Sequence, residues 1–329
     1  MAKKRTSCSK IGVLTSGGDA PGMNACIRAV TRGATARGID VAGIKRGYTG
    51  IYNRNFLALN SRAVANTIQR GGTILESSRC ERFLSVEGRQ EAVGILDDEG
   101  IEGLVVIGGN GSFRGAAALA AESHIKVIGI PGTIDNDIYG TDYAVGFDTA
   151  VNTALEAIDR IRDTADAFER VFFVEVMGRN SGAIALEVGI AGGAEEILIP
   201  EKDIEPEDLA QILKESFDRG KRSSLIVVAE GNETGHTFQI AQYIQYRLKL
   251  DCRVCVLGHL QRGGVPNARD RVLGSKLGTA AIEGLLNGES GSAVGEVNWE
   301  IVFTPLLEAA EKRKTLNVHS LDVMKVLAQ

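Results

Sequence analysis

The chain has 329 residues, 44% hydrophobic and 24% charged, the balance of a globular protein with apolar material for two sizeable cores. A net charge of -5 offers no broad basic field, which argues against nucleic acid or an anionic membrane as a main partner. The longest apolar runs, such as 104–107 and 225–229, are strand-sized and far short of a bilayer span.

The chain opens Met1-Ala2-Lys3-Lys4-Arg5 and enters a strand-like run at once, leaving no apolar core for a signal peptide and implying a cytoplasmic location. Strands are expected at 10–14 and 41–45, with a helix at 23–36 between them. Strands 104–107 and 127–130 flank a helix at 115–122, and a longer helix follows at 149–162. Strands 171–176 and 197–199, helix 207–219, strands 225–229 and 252–257 and helix 275–286 complete the series. This βαβ rhythm, with so many crossovers, predicts two doubly wound, mostly parallel sheets rather than one. Five cysteines are an odd number and no dense framework, so free thiols are expected. Cys252 and Cys255 lack a second pair for a metal knuckle and read as core thiols on a strand.

In parallel sheets the loops after the strands meet ligands. Two of them, at Gly17-Gly18 and at Gly108-Gly109-Asn110-Gly111-Ser112, cluster glycines between strand and helix, where backbone N–H groups can approach phosphate oxygens. Neither the Walker A pattern nor the protein-kinase signatures occur. A dinucleotide-binding oxidoreductase would need an acidic residue ending the next strand, and there the chain reads Pro131-Gly132-Thr133. Asp135 and Asp137 sit two apart, so an extended segment would point both carboxylates one way, one as a proton acceptor and one beside magnesium. Taken alone, the segment better suits an Asx-turn cluster. Arg79, Arg170, Arg179, Arg253 and Arg262 lie in or beside loops or at strand starts, where guanidinium groups could grip phosphates.

Together, the stretches 14–25 (LTSGGDAPGMNA), 131–137 (PGTIDND), 174–179 (VEVMGR) and 257–264 (LGHLQRGG) resemble the signatures of the bacterial, ATP-dependent 6-phosphofructokinase family, in order and at similar spacing, over residues 9 to about 290. The resemblance implies two Rossmann-like domains: a larger ATP-binding one at 1–140 plus about 252–303, and a smaller one for fructose 6-phosphate at 141–251 plus 304–329. It implies a homotetramer that moves the γ-phosphate of Mg-ATP onto the 1-hydroxyl of fructose 6-phosphate, giving fructose 1,6-bisphosphate and ADP. Asp135 is then the general base, with Thr133, Asp137 and Arg179 beside it. Gly17, Tyr48, Arg79 and Cys80 match ATP positions, as do Gly109, Asn110, Gly111 and Ser112. Met177, Gly178, Arg179, Glu230, His259 and Arg262 match the sugar-phosphate side, and Arg170 and Arg253 match arginines that reach the 6-phosphate from a neighbouring subunit.

An effector site for ADP or phosphoenolpyruvate is implied at Arg28, Arg32, Arg54, Arg162, Glu195, Arg219 and Lys221. Gly111 and Gly132 stand where pyrophosphate-using relatives carry an aspartate and a lysine, so ATP is the expected donor. One departure stands out: the family's aspartate, associated with Mg2+, is Asn110 here. That substitution leaves open a weakly active or regulatory member of the family.

Overall fold

A computed structural model describes residues 8–168, 170–202, 204–231, 235–317 and 319–327. Its strands are β1 (Lys10–Ser16), β2 (Asp40–Ile44), β3 (Phe56–Leu59), β4 (Gly103–Gly108), β5 (Lys126–Pro131), β6 (Val171–Val176), β7 (Glu196–Leu198), β8 (Ser224–Ala229), β9 (Cys252–Val256), β10 (Ser292–Val297) and β11 (Glu300–Pro305). Both sheets are doubly wound and mostly parallel. The chain divides into two compact units, one of Met1–Thr149 and Arg262–Lys314, the other of Ala150–Gln261 and Thr315–Gln329.

The first unit holds a seven-stranded sheet in the order β11-β10-β5-β4-β1-β2-β3, with β3 and β11 antiparallel to their neighbours. β4 reads Gly-Leu-Val-Val-Ile-Gly and is buried throughout, as a central strand covered on both faces requires. Phe113, Ile44, Ile51, Leu104 and Leu306 share one core cluster. The helices Met23–Thr35 and Ala268–Leu286 pack closely, because a side chain at Gly278 would stand 2.7 Å from Ala29 Cβ. β3, β10 and β11 are not legible as strands in the sequence. β3 and β11 are half-exposed edges with no clean alternation. The β10–β11 turn uses Asn298 and Trp299 at φ +50° and +70°, where a sequence reader looks for Asn-Gly or Gly.

The second unit holds a four-stranded, all-parallel sheet in the order β7-β8-β6-β9. Its core gathers Phe173, Leu213, Ile226 and Ile244. The unit boundaries fall at 149, 261 and 314 rather than at 140, 251 and 303. Hydrogen-bond ladders explain the second and third of these, since β9 pairs with β6 and β11 pairs with β10.

The helix Phe147–Phe168 starts earlier than expected because it is capped from outside. Asp270 is buried, and its carboxylate accepts the N–H groups of Gly146 and Thr149, each at 2.8 Å. Burial pushes the Asp270 carboxyl above the usual range, and the Thr149 hydroxyl and these N–H groups pull it back. Among the described residues, no helix is long and apolar enough to cross a membrane.

Candidate active site

Gly108 at the end of β4 is in register with Ser16 of β1 on one side and Pro131 of β5 on the other. The segments 17–22, 109–112 and 132–137 therefore leave the sheet side by side, where strand order reverses between β1 and β4. The expected loop 108–112 is largely helix. Gly109 is the N-cap and the helix Asn110–Glu122 begins at once, so Asn110, Gly111 and Ser112 form its first turn. First-turn N–H groups have no partner within their helix, which suits them to an anion.

Gly111 faces open space, with nothing within 4 Å of where a Cβ would stand. A Cβ at Gly109 would stand 3.7 Å from Thr133 Cβ, and one at Gly17, which is left-handed at φ +86°, 3.4 Å from Ser112 Oγ. The three segments are thus in mutual contact range. Gly132 departs from its expected role, because a side chain there would meet Ile107 Cγ2 at 2.9 Å and Met23 Cε at 3.2 Å. Packed core, not open phosphate space, demands glycine at 132.

Tyr48, expected at the nucleotide, is buried. Its ring stacks on Phe83 at 3.9 Å, and its hydroxyl donates to the Ser112 carbonyl at 2.8 Å, so it holds the first turn of the helix. Burial raises its phenol above the usual range. Arg79 is exposed, while Cys80 is half-buried against the same core. The Arg262 guanidinium belongs to this unit too. Its Nη1 donates to the Asp19 carbonyl at 3.1 Å, and a Cβ at Gly18 would stand 2.5 Å from it.

The aspartate segment is a turn and not the extended run that alternation assumed. Asn136 sits at φ +50°, and Thr133 Oγ1 accepts the Asp135 N–H at 3.2 Å. Thr133 and Asp135 are buried at 7% and 5% exposure, and Asp137 is half-buried. Asp137 Oδ2 accepts the Asn110 amide N–H at 2.5 Å. Asn110 Oδ1 is buried and accepts no hydrogen bond among the described residues. An orphaned amide oxygen beside a carboxylate suits a hard cation with oxygen ligands. No group of three or more His, Cys, Asp or Glu side chains suited to a metal occurs among the described residues, so such an ion would bring ligands of its own.

In the second unit, Met177, Gly178 and Arg179 leave the carboxyl end of β6. Gly178 is at φ +142°, where a Cβ would stand 2.4 Å from the Ser181 carbonyl oxygen, so the turn admits only glycine. Glu230 follows β8, and its Oε1 accepts the Arg179 N–H at 2.9 Å. Gln261, which sequence reasoning passed over, is fully buried and accepts the Met177 N–H at 2.8 Å, tying the turn of Gly258 and His259 to that of Met177. Only its burial marks it. His259 is exposed.

Arg170 and Arg253 precede and begin the neighbouring strands β6 and β9, and both reach Asp251, at 2.7 and 3.1 Å. The hydrogen bond from Arg170, then the charges of Arg253 and Arg170, hold the Asp251 carboxyl below its usual range. This is the opposite end of β6 from Met177. Six residues at about 3.3 Å each separate the two groups by about 20 Å.

The effector candidates fall into separate groups. Arg28 and Arg32 lie on the helix Met23–Thr35, and Arg54 pairs with Asp98 at 2.5 Å. In the second unit Arg162 Nε donates to the Gly192 carbonyl at 2.7 Å, and Lys221 lies 3.5 Å from Glu195. Arg219 is an exposed helix C-cap.

An anion-ready helix start beside a carboxylate-bearing turn, at the carboxyl ends of a doubly wound sheet, fits a phosphoryl-transfer protein, a kinase. The chain belongs to the phosphofructokinase family, whose profile matches residues 10–285. It is 58% identical over 319 residues to ATP-dependent 6-phosphofructokinase 1 of Thermus thermophilus, covering 97% of this chain and 99% of that one. Against the ATP-dependent 6-phosphofructokinase of Cytophaga hutchinsonii the identity is 52%, covering 97% of each. The fold matches phosphofructokinase from Saccharomyces cerevisiae at a TM-score of 0.86 and 33% identity, over 97% of this chain and 48% of the yeast chain. It also matches a pyrophosphate-dependent phosphofructokinase from Marinobacter aquaeolei at 0.83 and 25%, over 94% and 86%.

Proposed function

We infer that this chain transfers the γ-phosphoryl group of ATP to the 1-hydroxyl of fructose 6-phosphate. The observation that carries this is the register of Ser16, Gly108 and Pro131, which sets an anion-ready helix start beside the buried Asp135. The first turn at 110–112 and the Gly17-Gly18 segment bind the phosphates of ATP through backbone N–H groups. Asp135 takes the proton of the sugar hydroxyl as it attacks phosphorus, and Thr133 holds the Asp135 backbone. Met177, Gly178, Arg179, Glu230 and His259, at the carboxyl ends of β6, β8 and β9, bind the sugar phosphate.

Asp137 and Asn110 Oδ1 are the groups that would hold Mg2+, which supplies charge neutralisation on the transferred phosphoryl group. The full-length similarity to ATP-dependent 6-phosphofructokinases speaks against the weakly active reading. The resemblance assigns Arg170 and Arg253 to the 6-phosphate site of a neighbouring subunit in a homotetramer, and their place at the opposite end of β6 from Met177 is consistent with that assignment. The same resemblance assigns Arg28, Arg32, Arg54, Arg162, Glu195, Arg219 and Lys221 to an effector site for ADP or phosphoenolpyruvate, to which Arg162 and the Lys221–Glu195 pair of the second unit contribute one part. The enzyme works in the cytoplasm.

The test is a coupled assay with fructose 6-phosphate and either ATP or pyrophosphate. Turnover with ATP alone is expected. Turnover with pyrophosphate alone would overturn the donor, and none with either would overturn the function.

A further inference from the structure

Lys314 is the last residue of the first unit. Its Nζ donates to Asn136 Oδ1 at 3.0 Å and to the Asp142 carbonyl at 2.6 Å. Asn136 Nδ2 donates to that same carbonyl at 3.3 Å, so ammonium, amide and carbonyl close a triangle. Asn136 stands between Asp135 and Asp137 in the chain. Its left-handed backbone is a conformation that an L-residue with a side chain adopts at a cost, and local hydrogen bonding is what sustains it.

The fold does not need the lysine to satisfy its polar groups. Without it, Asn136 Oδ1 keeps the Ala144 N–H at 2.9 Å, and the Asp142 carbonyl keeps the Asn136 amide. Burial works against the charge, pulling the ammonium down to about 8, and the carboxylates of Asp142 and Asp137 only partly offset this. An ammonium bonded to the residue that spaces two aspartates, where the surrounding polar groups keep partners without it, points to function rather than to stability.

We propose that Lys314 is a positioning residue for phosphoryl transfer, locking Asn136 so that Asp135 and Asp137 hold their reactive geometry. The proposal rests on Asp135 being the base. It acts through alignment, and a misplacement of about 1 Å costs on the order of 100-fold in rate.

The experiment compares Lys314→Met, which keeps length and removes charge, with the wild type and with Asn136→Gly, which tolerates the backbone angle. Lys314→Met should lower kcat by roughly tenfold or more while changing KM for either substrate by less than about threefold. Its urea midpoint at pH 7 should equal or exceed that of the wild type. In the Asn136→Gly background the same change should cost less than about twofold, since the lysine acts through that side chain. Unchanged kcat per folded molecule, a lowered midpoint or failure to fold, or full additivity with Asn136→Gly would each overturn the proposal. Asp135→Asn serves as the control. If it keeps normal turnover, the base assignment fails whatever the lysine does; if it is slow while Lys314→Met is normal, only the present proposal fails.

Discussion

The Asn110 amide donates to Asp137 Oδ2 at 2.5 Å, joining the segments that follow the neighbouring strands β4 and β5 through a neutral donor and a carboxylate. Replacing Asn110 with Asp sets two carboxylates against each other unless a cation lies between them. Without magnesium, Asn110→Asp should melt roughly a few degrees below the wild type, and magnesium should narrow the gap. Its magnesium requirement for turnover should fall while kcat holds or rises. Melting curves with and without the ion, beside magnesium titrations of activity, check both. A variant indifferent to magnesium in both measurements would remove Asn110 from the metal site.

Asp135 is buried in a turn fixed by Thr133 Oγ1 and Asn136, so exchanging its carboxylate for an amide should leave the fold intact. Asp135→Asn should lower kcat by roughly 100-fold or more, the loss expected when a general base is removed. Steady-state kinetics with a far-ultraviolet spectrum of the folded variant decide the matter. Near-normal turnover would end the assignment.

Arg170 and Arg253 share Asp251, so removing either leaves that carboxylate one guanidinium and should cost little stability. Arg170→Ala and Arg253→Ala should each raise KM for fructose 6-phosphate far more than KM for ATP. Mixed oligomers of Arg170→Ala and Asp135→Asn chains should regain some activity if subunits share sites. Absence of complementation in verified mixed oligomers would place the whole site in one chain.

Lys314 also gives stability a signature in pH. Its ammonium is held at about 8 in the fold against 10.5 as the reference value, so between those values the unfolded chain binds more protons. Stability from this group therefore rises as pH increases from about 8 toward 10.5, and that gain is absent once pH has fallen below about 8. Urea unfolding at pH 7.5 and 9.5 should show a rise in the wild type that Lys314→Met lacks. Parallel pH dependence in the two proteins would contradict it.

Local sequence alone set the doubly wound class, because β-branched runs, glycines and amphipathic helices alternate in steps that periodicity records. It also marked the loops at 17–18, 109–112 and 133–137, since backbone approach to an anion requires glycine and a turn prefers Asp and Asn. Edge strands were hidden because half-exposed segments carry no clean alternation, as β3 and β11 show. Tertiary packing, by contrast, settled that Tyr48 supports a helix start, that Gly132 is core, and that Asn136 breaks the alternation assumed for Asp135 and Asp137. It also brought Lys314 to Asn136, 178 residues apart, and Gln261 to Met177, 84 residues apart. Such contacts are set by strand order and register, which depend on the packing of the whole sheet and leave no mark in the residues that meet.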